Sequence, residues 1–484
     1  MEAPDDRGLR AVRVQGVTVG SVWSRRGLRR LLRRAGLPRS IDLTDPNHVR
    51  WLADPDCWPD RPGLRRAAAA LMVAGLLMSA AVLFQVGMTD AFNALAYGGR
   101  VEGVVFTIAA LVETLAALAV CDYWGTRRLR YTGAAVLVGV GTVTVTNLMF
   151  LITQAQGGEY TPFLWLWIGL LFWTVWAWWR LTRHRAWQGV PHPKGIAVSV
   201  LVSGVAGIAS FAYSQMYVPY ATPVRIPFTV SFGAPAVSPD GAVLHVPAHV
   251  EFRNAGSVRV YVVGTIVTVK GWPTKFTQQG TKADVWKQEL WKYDETVRHV
   301  VYSPFHMLLT GMFSDPGDRL DPGDDFSKSF VVDVPLRAGI GRVQLDATSS
   351  FIRADRGKLG NSYVDSGETS WDTESGRHLT DAPSWVASPG DDFYRYHSKI
   401  YHSSEMLNLT RATDYASAWW VIRRWHEGDD FAKGDTSPEL VASIYRDPQG
   451  RESLNDSEQE PYGMHTEEQW AEGTVDQLLK DAKK

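Results

Sequence analysis

Five long apolar segments divide the first half of the chain, and the loops between them alternate between Arg-rich and Arg-poor. They run from Arg66 to Val86, Val101 to Cys121, Tyr131 to Ile152, Pro162 to Trp179 and Gly195 to Met216. Each is near the roughly 20 residues that a helix needs to cross about 30 Å of hydrocarbon. The pattern predicts a five-helix transmembrane bundle.

Orientation follows from the basic residues. Fourteen Arg occur up to and including Arg66. The loop after the second segment holds Arg127, Arg128 and Arg130; the loop after the fourth holds Arg180, Arg183, Arg185 and Lys194. The opposite loops carry Arg100 alone and no basic residue at all. Basic loops next to spans are retained in the cytoplasm. The expectation is a multi-pass plasma-membrane protein with a cytoplasmic N-terminus and everything after Met216 outside. No short apolar run precedes residue 66, so the first segment is expected to stay as an anchor rather than be cleaved. Both cysteines, Cys57 and Cys121, then fall on the cytoplasmic side, and the outer part must fold without disulfides. Arg outnumbers Lys 37 to 13, which points to a GC-rich genome, such as a bacterial one.

Residues 1–65 carry a basic amphipathic helix. Leu28, Leu31, Leu32 and Ala35 recur at i, i+3, i+4 and i+7, while Arg25, Arg26, Arg29, Arg30, Arg33 and Arg34 cover the other face. Ser24 is placed to cap the start, and Gly36 and Pro38 to stop it. Such a helix beside a span reads as lying on anionic lipid headgroups, each Arg contributing on the order of 1 kcal/mol. The plainer reading is a topology determinant alone. No nucleic-acid-binding fold surrounds the helix, so a nucleic-acid partner is not expected. Cys57 and His48 lack the paired partners that a metal site needs.

Within the apolar segments (66–216) the informative residue is Glu113. It lies about 18 Å along the second segment at about 1.5 Å per residue, deep in the hydrocarbon. A carboxylate there is costly and faces a bundle interior or a water-filled cavity. Two readings stand: a proton- or ion-handling group, or a protonated acid bonded to a neighbouring helix. Gln85 and Asn147 are further polar candidates at outer depth. Small residues, among them Gly133, Gly139 and Gly141, and Ser199, Ser203 and Gly207, mark close helix packing. Trp165, Trp167, Trp176, Trp178 and Trp179 read as interface belts, and Trp173 as a packing residue.

Residues 217–425 change character. Leu244, Val246, Ala248, Val250 and Phe252 alternate with polar partners, as do Phe330, Val332 and Val334, and Val343, Leu345, Ala347 and Ser349. Val258, Val260 and Val262 open another strand that Ile266 and Thr268 continue. Asn254-Ala-Gly-Ser257 reads as a turn. Short strands between turn signals predict an extracytoplasmic all-β, immunoglobulin-like sandwich, so the whole chain is α+β and multi-domain. Residues 284–312 break the pattern and read as an inserted helix or long loop. Residues 393–425 either complete the sandwich or form a second sheet. The acidic tail, 426–484, is expected to be partly disordered, with a short amphipathic helix near Thr466–Lys480.

Gly-Asp-Asp-Phe occurs at 323–326, 390–393 and 428–431. The plain reading is a Pro-Gly turn opening a strand on a buried Phe. The sharper one puts calcium on Asp324, Asp325, Asp391 and Asp392, without EF-hand spacing to support it. His245 and His249 share a strand face about 13 Å apart, too far for one metal. His397 and His402 fall on opposite faces. No nucleophile signature such as G-x-S-x-G appears, although a triad can be assembled without one, so the reading leans away from an enzyme, and no cofactor is expected. The sequence favours a non-enzymatic membrane protein that presents a β-sandwich to a protein or ligand outside, or serves envelope assembly. The alternative is a transport or channel-like component using Glu113.

Overall fold

The computed structural model describes residues 1–3, 9–38, 41–46, 48–54, 62–125, 131–157, 160–183, 224–273, 304–373, 378–425, 436–447 and 459–483, with isolated residues elsewhere. The chain forms two compact units, one of Met1–Ala94 and Arg100–Ala212, the other chiefly of Tyr213–Asn408 and Ala412–Lys484.

The first unit opens with a hairpin of β1 (Arg10–Val14) and β2 (Val17–Val22). Its two-residue turn puts Gln15 and Gly16 at φ 51° and 84°. Both are left-handed, the turn whose twist matches a strand pair. Helix α1 (Arg25–Arg34) follows. The Ser24 side chain accepts from the Gly27 amide at 3.2 Å. Gly36, at φ 85°, ends the helix while Leu37 N–H bonds back to the Leu32 carbonyl at 3.0 Å. The predicted caps are therefore the observed ones. The apolar face of α1 is not left for lipid, however. Leu28 is buried against Val12, Val22 and Leu43, and Leu31 and Leu32 pack on the same cluster.

Long helices follow: α2 (Pro62–Asn93), α3 (Tyr97–Trp124), α4 (Thr132–Gly157) and the Trp-rich α5 (Leu164–Arg183). Among the described residues, three helices, Gly63–Asn93, Tyr97–Trp124 and Thr132–Gly157, are long and apolar enough to cross a membrane. Nearly all of the fifth predicted segment lies outside the described residues. Glycine sets the closest approaches. A Cβ on Gly103 of α3 would meet the Ala91 amide of α2 at 2.2 Å, and one on Gly139 of α4 would meet Ala116 of α3 at 2.2 Å. Trp173 lies over Gly75 and donates to the Leu71 carbonyl at 3.0 Å, as a packing residue should. Trp167, expected in an interface belt, is buried at 1% exposure and stacks on Phe150 at 4.3 Å. Two positions along a helix turn to roughly opposite sides, so Trp165 faces out at 66% exposure and Trp167 in.

The second unit is a stack of three antiparallel sheets. In the first, β5 (Val243–Arg253) pairs with β3 (Phe228–Phe232) and β4 (Ala236–Val237) on one side and β9 (Asp325–Pro335) on the other. In the middle sheet, β6 (Val260–Pro273) pairs with β7 (His306–Gly311) and β8 (Arg319–Leu320) on one side and β10 (Ile340–Arg353) on the other. Strand β16 (His465–Thr474) closes its far edge. In the third, β13 (Asp392–His402) pairs with β11 (Gly357–Leu359), β12 (Glu368–Thr369) and β14 (Asp414–Ile422), and β14 with β15 (Pro438–Tyr445).

One core lies between the first and middle sheets, with Val246, Val250, Phe252, Val262, Val269 and Leu345 among its residues. A second lies between the middle and third sheets, with Tyr261, Val263, Ile266, Ile400, Ala418 and Trp420. The middle sheet is thus covered on both faces, which is why β6 reads as the unbroken apolar run Val-Tyr-Val-Val. Residues 366–425 supply most of a separate third sheet.

Strand β6 also carries a bulge. Ser350 pairs with Gly264 but Phe351 pairs with Val262, leaving Val263 as the extra residue. Even-numbered Val260 and Val262 face the first core before it; odd-numbered Val267 and Val269 face that core after it. Ile266 was expected to share a face with Val262, and the bulge turns it to the second core.

The tail differs from expectation as well. Residues 465–474 form β16 rather than helix, because the free edge of β10 offers ten residues of backbone pairing. Only α6 (Val475–Asp481) is helical, capped by Thr474, with Val475 and Leu478 in the first core. Most of the 284–312 insertion lies outside the described residues; its end is β7.

Candidate functional site

The buried polar side chains of the helix bundle form the clearest candidate. Glu113 of α3 is fully buried, and neither carboxylate oxygen has a hydrogen-bond partner. Ser79 of α2 is the polar group it meets, short of a formed hydrogen bond. Ser79 also lines a cavity of about 10 Å³ with Thr146, Asn147, Phe150 and Trp167. Asn147 of α4 donates from Nδ2 to the Trp167 carbonyl of α5 at 3.0 Å. Its Oδ1 and the Trp167 Nε1 are buried without partners. Helices α2, α4 and α5 thus each bring a polar side chain to this cavity, and Glu113 of α3 lies against Ser79. Gln85 is exposed and does not join them.

Sequence reading missed Ser79 and Trp167 here. Ser79 sits in a run of small and apolar residues, and nothing local marks it as facing Glu113 from the antiparallel helix. Asp90, buried near the end of α2, was missed too.

The six Arg of α1 are all exposed, on the side away from the packed leucines. Trp23, just before α1, lies under Arg65 at 4.5 Å and donates to the Gly125 carbonyl at 3.2 Å. The Arg face is therefore carried by a folded element held at the ends of α2 and α3.

The acid pairs sit in turns. Pro322-Gly323 and Pro389-Gly390 have glycine φ of 91° and 96°. In each turn the following Asp bonds back to the turn's first amide: Asp324 accepts from Asp321 N at 2.9 Å, and Asp391 from Ser388 N at 3.0 Å. Asp325 pairs with Arg253 at 3.2 Å, and Asp392 accepts from Ser370 at 3.2 Å. Each has an oxygen bonded within the protein, and among the described residues no group of three or more His, Cys, Asp or Glu is placed to hold a metal. The third repeat, 428–431, lies outside the described residues, as does Cys57.

His245 Nδ1 pairs with Asp333 at 2.6 Å and His249 Nδ1 with Ser329 at 2.8 Å, so each serves its own cross-strand neighbour. His402 bonds the Ala412 carbonyl at 2.9 Å.

The outer face of the third sheet holds a second polar group. Buried Arg395 donates to Glu368 at 2.9 Å and lies over Trp419 at 4.9 Å. His397 is 3.7 Å from Glu368 and directly opposite Ser417 in the strand register. Burial, and then the Arg395 charge, pull its imidazole below the ordinary histidine range, with Glu368 opposing. The row Glu368, His397, Ser417 has the residue types of a hydrolytic triad but not its working arrangement. Ser417 is sealed from solvent, and its Oγ accepts from Trp419 Nε1 at 2.8 Å. Nearby, burial pushes the Tyr445 phenol up to about 12, and its hydroxyl has no hydrogen-bond partner.

No family model matches the chain, and no curated protein does. Three solved structures are similar at a TM-score of 0.15 each. The ApaA protein from Bordetella pertussis is 13% identical, over 27% of this chain and 82% of its own. The structural-genomics target SoR45 is 8% identical, over 27% and 74%. The sporulation control protein Spo0M from Bacillus subtilis is 9% identical, over 53% and 94%. Likenesses at that score carry no argument about function.

Proposed function

We propose that this is a non-enzymatic, multi-pass plasma-membrane protein. In this reading five spans and a cytoplasmic N-terminus hold an extracytoplasmic, immunoglobulin-like β-sandwich, extended by a third sheet. The sandwich binds a protein or ligand or serves envelope assembly. The observation that carries it is the middle sheet covered on both faces. A stack so built is rigid, and its polar interior groups are paired or sealed, so what it offers other molecules is its outer faces and rims. Rigid scaffolds of this kind carry recognition on loops. The spans are supported by outward-facing Leu77, Phe84, Leu115, Leu118 and Phe172, all exposed, which suit lipid rather than water. The Arg face of α1 is assigned to anionic headgroups.

The test uses the full chain in cells. With Cys57 and Cys121 replaced by Ser, Val331→Cys supplies one exposed thiol on β9. A membrane-impermeant maleimide is expected to label it in intact cells; labelling only after permeabilisation sinks the outside location. Photo-crosslinkers at exposed Trp371 and Trp470 then report binding. A discrete adduct at one position supports recognition, and no adduct at any exposed position of the stack refutes it.

A second reading is favoured by one observation, the unpartnered Glu113 against Ser79 in the helix bundle. It makes the bundle a transport or channel-like component, tested by flux in proteoliposomes with and without Glu113→Gln.

A further inference from the structure

The face of the middle sheet that packs on the third sheet changes character along its length. Tyr261, Val263 and Ile266 of β6 and Ile352 of β10 lie in the second core. Beyond Ile266 that face turns polar. Lys270 is the cross-strand partner of Gln344, and Gln344 of Glu472; Thr268 is the partner of Asp346, and Asp346 of Trp470. Directly opposed residues point to one side of a sheet, so these six share a face across three strands. Arg342, opposite Trp272, continues the row on β10.

A face that meets only water leaves its long side chains loose, and here they are held. Arg342 donates to Gln344 Oε1 at 3.0 Å, and Gln344 Nε2 donates to Asp346 Oδ1 at 2.8 Å. Lys270 lies 3.4 Å from Asp346, and Arg342 lies 3.4 Å from Glu472. The side chains of Lys270, Asp346 and Arg342 are 21%, 17% and 8% exposed. At the rim the reverse holds. Trp470 is 59% exposed, and Glu468 and Glu472 flank it on the same face of β16, exposed as well. An indole presented on a strand beside a fixed polar row is the kind of anchor that binding sites use.

Two properties set the ligand. The cations and acids within the row pair with one another, so the face favours a ligand of neither charge. Donors and acceptors alternate on a grid of about 4.8 Å across strands and roughly 6.7 Å along them. Lys270 and the Gln344 amide donate; Glu472 and the Gln344 carbonyl accept. A hydroxyl does both at once, and a pyranose ring adds an apolar C–H face for an indole. We propose that this face binds an uncharged glycan. Trp470 is its stacking platform, Gln344, Lys270 and Glu472 are its hydrogen-bonding groups, and Asp346 and Arg342 position Gln344. The glycan is a β-linked chain, which runs extended along a sheet face where an α-1,4-linked chain would coil away. This names the ligand class for the recognition proposed above, and rests on that reading for the place of the sandwich outside the membrane.

The experiment is saturation-transfer NMR on the full-length protein in a detergent without a sugar headgroup. The probes are cellohexaose and chitohexaose, with α-1,4-linked maltohexaose as the control. Transfer to at least one β-linked probe is expected, strongest at ring C–H protons. In Trp470→Ala its Kd should rise roughly tenfold or more, as loss of an anchoring tryptophan gives. Trp470→Phe, which keeps a ring, should retain most of the affinity, and Gln344→Ala should weaken it with the C–H pattern unchanged. Trp371→Ala, an exposed indole on the third sheet, should leave Kd as it was. Because the ligand is uncharged, Kd should barely move between low and physiological salt. Transfer to neither β-linked probe overturns the proposal. So does equal binding of maltohexaose, a Kd indifferent to Trp470→Ala, or a steep salt dependence. Binding in detergent does not depend on orientation, so its failure is separate from failure of the maleimide test. If the glycans fail while a crosslinker at position 470 captures a protein, the recognition reading stands and the glycan is wrong.

Discussion

Gly264 tests the three-layer stack most directly. It sits at the bulge of β6, in close approach to the third sheet. A Cβ there would lie 2.8 Å from the Ala418 Cβ, 3.1 Å from Leu440 Cδ1 and 3.3 Å from a ring carbon of Trp420. Carbon atoms prefer about 3.5–4.0 Å, so the sheets must part by several tenths of an ångström to admit one methyl group. Overpacking of this kind costs about 1–3 kcal/mol. The backbone of Gly264 is not left-handed, so Ala also gains about 0.4–1 kcal/mol from the unfolded chain. The net expectation for Gly264→Ala is a loss of about 1–2 kcal/mol.

Ala418→Gly removes the closest atom. Alone it loses a buried methyl worth about 0.8 kcal/mol and some strand propensity. In the double variant it relieves the clash, so the two changes should couple favourably by about 1 kcal/mol. The assay is denaturant unfolding of the full chain in detergent, followed by tryptophan fluorescence, to which Trp420 contributes from the contact itself. If Gly264→Ala is neutral or stabilising, or if the two substitutions simply add, the sheets are not packed as described.

Three further outcomes follow from particular side chains. Asn254→Ala should cost about 2–4 kcal/mol, since its buried amide donates to Val258 and Leu320 carbonyls at 2.8 and 3.1 Å and accepts from Gly256 N at 3.1 Å; a loss below the effect of a surface substitution would refute this. Tyr445→Phe removes a buried hydroxyl that has no partner, and should be neutral or stabilising by up to about 1 kcal/mol at neutral pH. Because the native phenol resists ionisation until about 12 against an ordinary 10.0, wild-type stability should fall as pH rises through that window, and unfolding titrations should show the fall lessened in Tyr445→Phe. His397 is held below the ordinary histidine value of 6.5, so the unfolded chain takes up its proton first. Its contribution is intact above that pH and lost as pH falls below it, and His397→Gln should flatten the acid slope of stability; an unchanged slope would count against it.

The parts of the fold legible in the sequence are those where one period holds over one element. Strand β5 was readable because Leu244 to Phe252 alternate without interruption. Helix α1 was readable because its leucines, Ser24 and Gly36 agree. Strand β6 was misread for the opposite reason. Its even-numbered residues look like one face, but Val263 adds a residue to the ladder and exchanges the faces, and the run is apolar because both sides are buried. At β16, the sequence suggested one helix over Thr466–Lys480. The helical spacing belongs only to 475–479, and the preceding residues take the strand that the β10 edge offers, since backbone pairing there needs no apolar side chains. Long-range partners of this kind leave no local signal.

The same distinction separates the two candidate sites. Glu113 stood out because an acid in the middle of an apolar helix is anomalous wherever its neighbours are. Its surroundings were invisible, because Ser79 lies 34 positions before it and Trp167 54 after it, each ordinary in its own helix. The Arg face of α1 shows the converse. The sequence gives both faces of that helix, and placing its leucines on lipid was reasonable while the hairpin before it went unread. Once Gln15-Gly16 folds β1 onto β2, those leucines have a protein surface to cover. What the proposed headgroup contact then has left is charge alone. Its attraction should then fall steeply with salt, as screening over about 8–10 Å at physiological ionic strength requires, where an inserted apolar face would hold on.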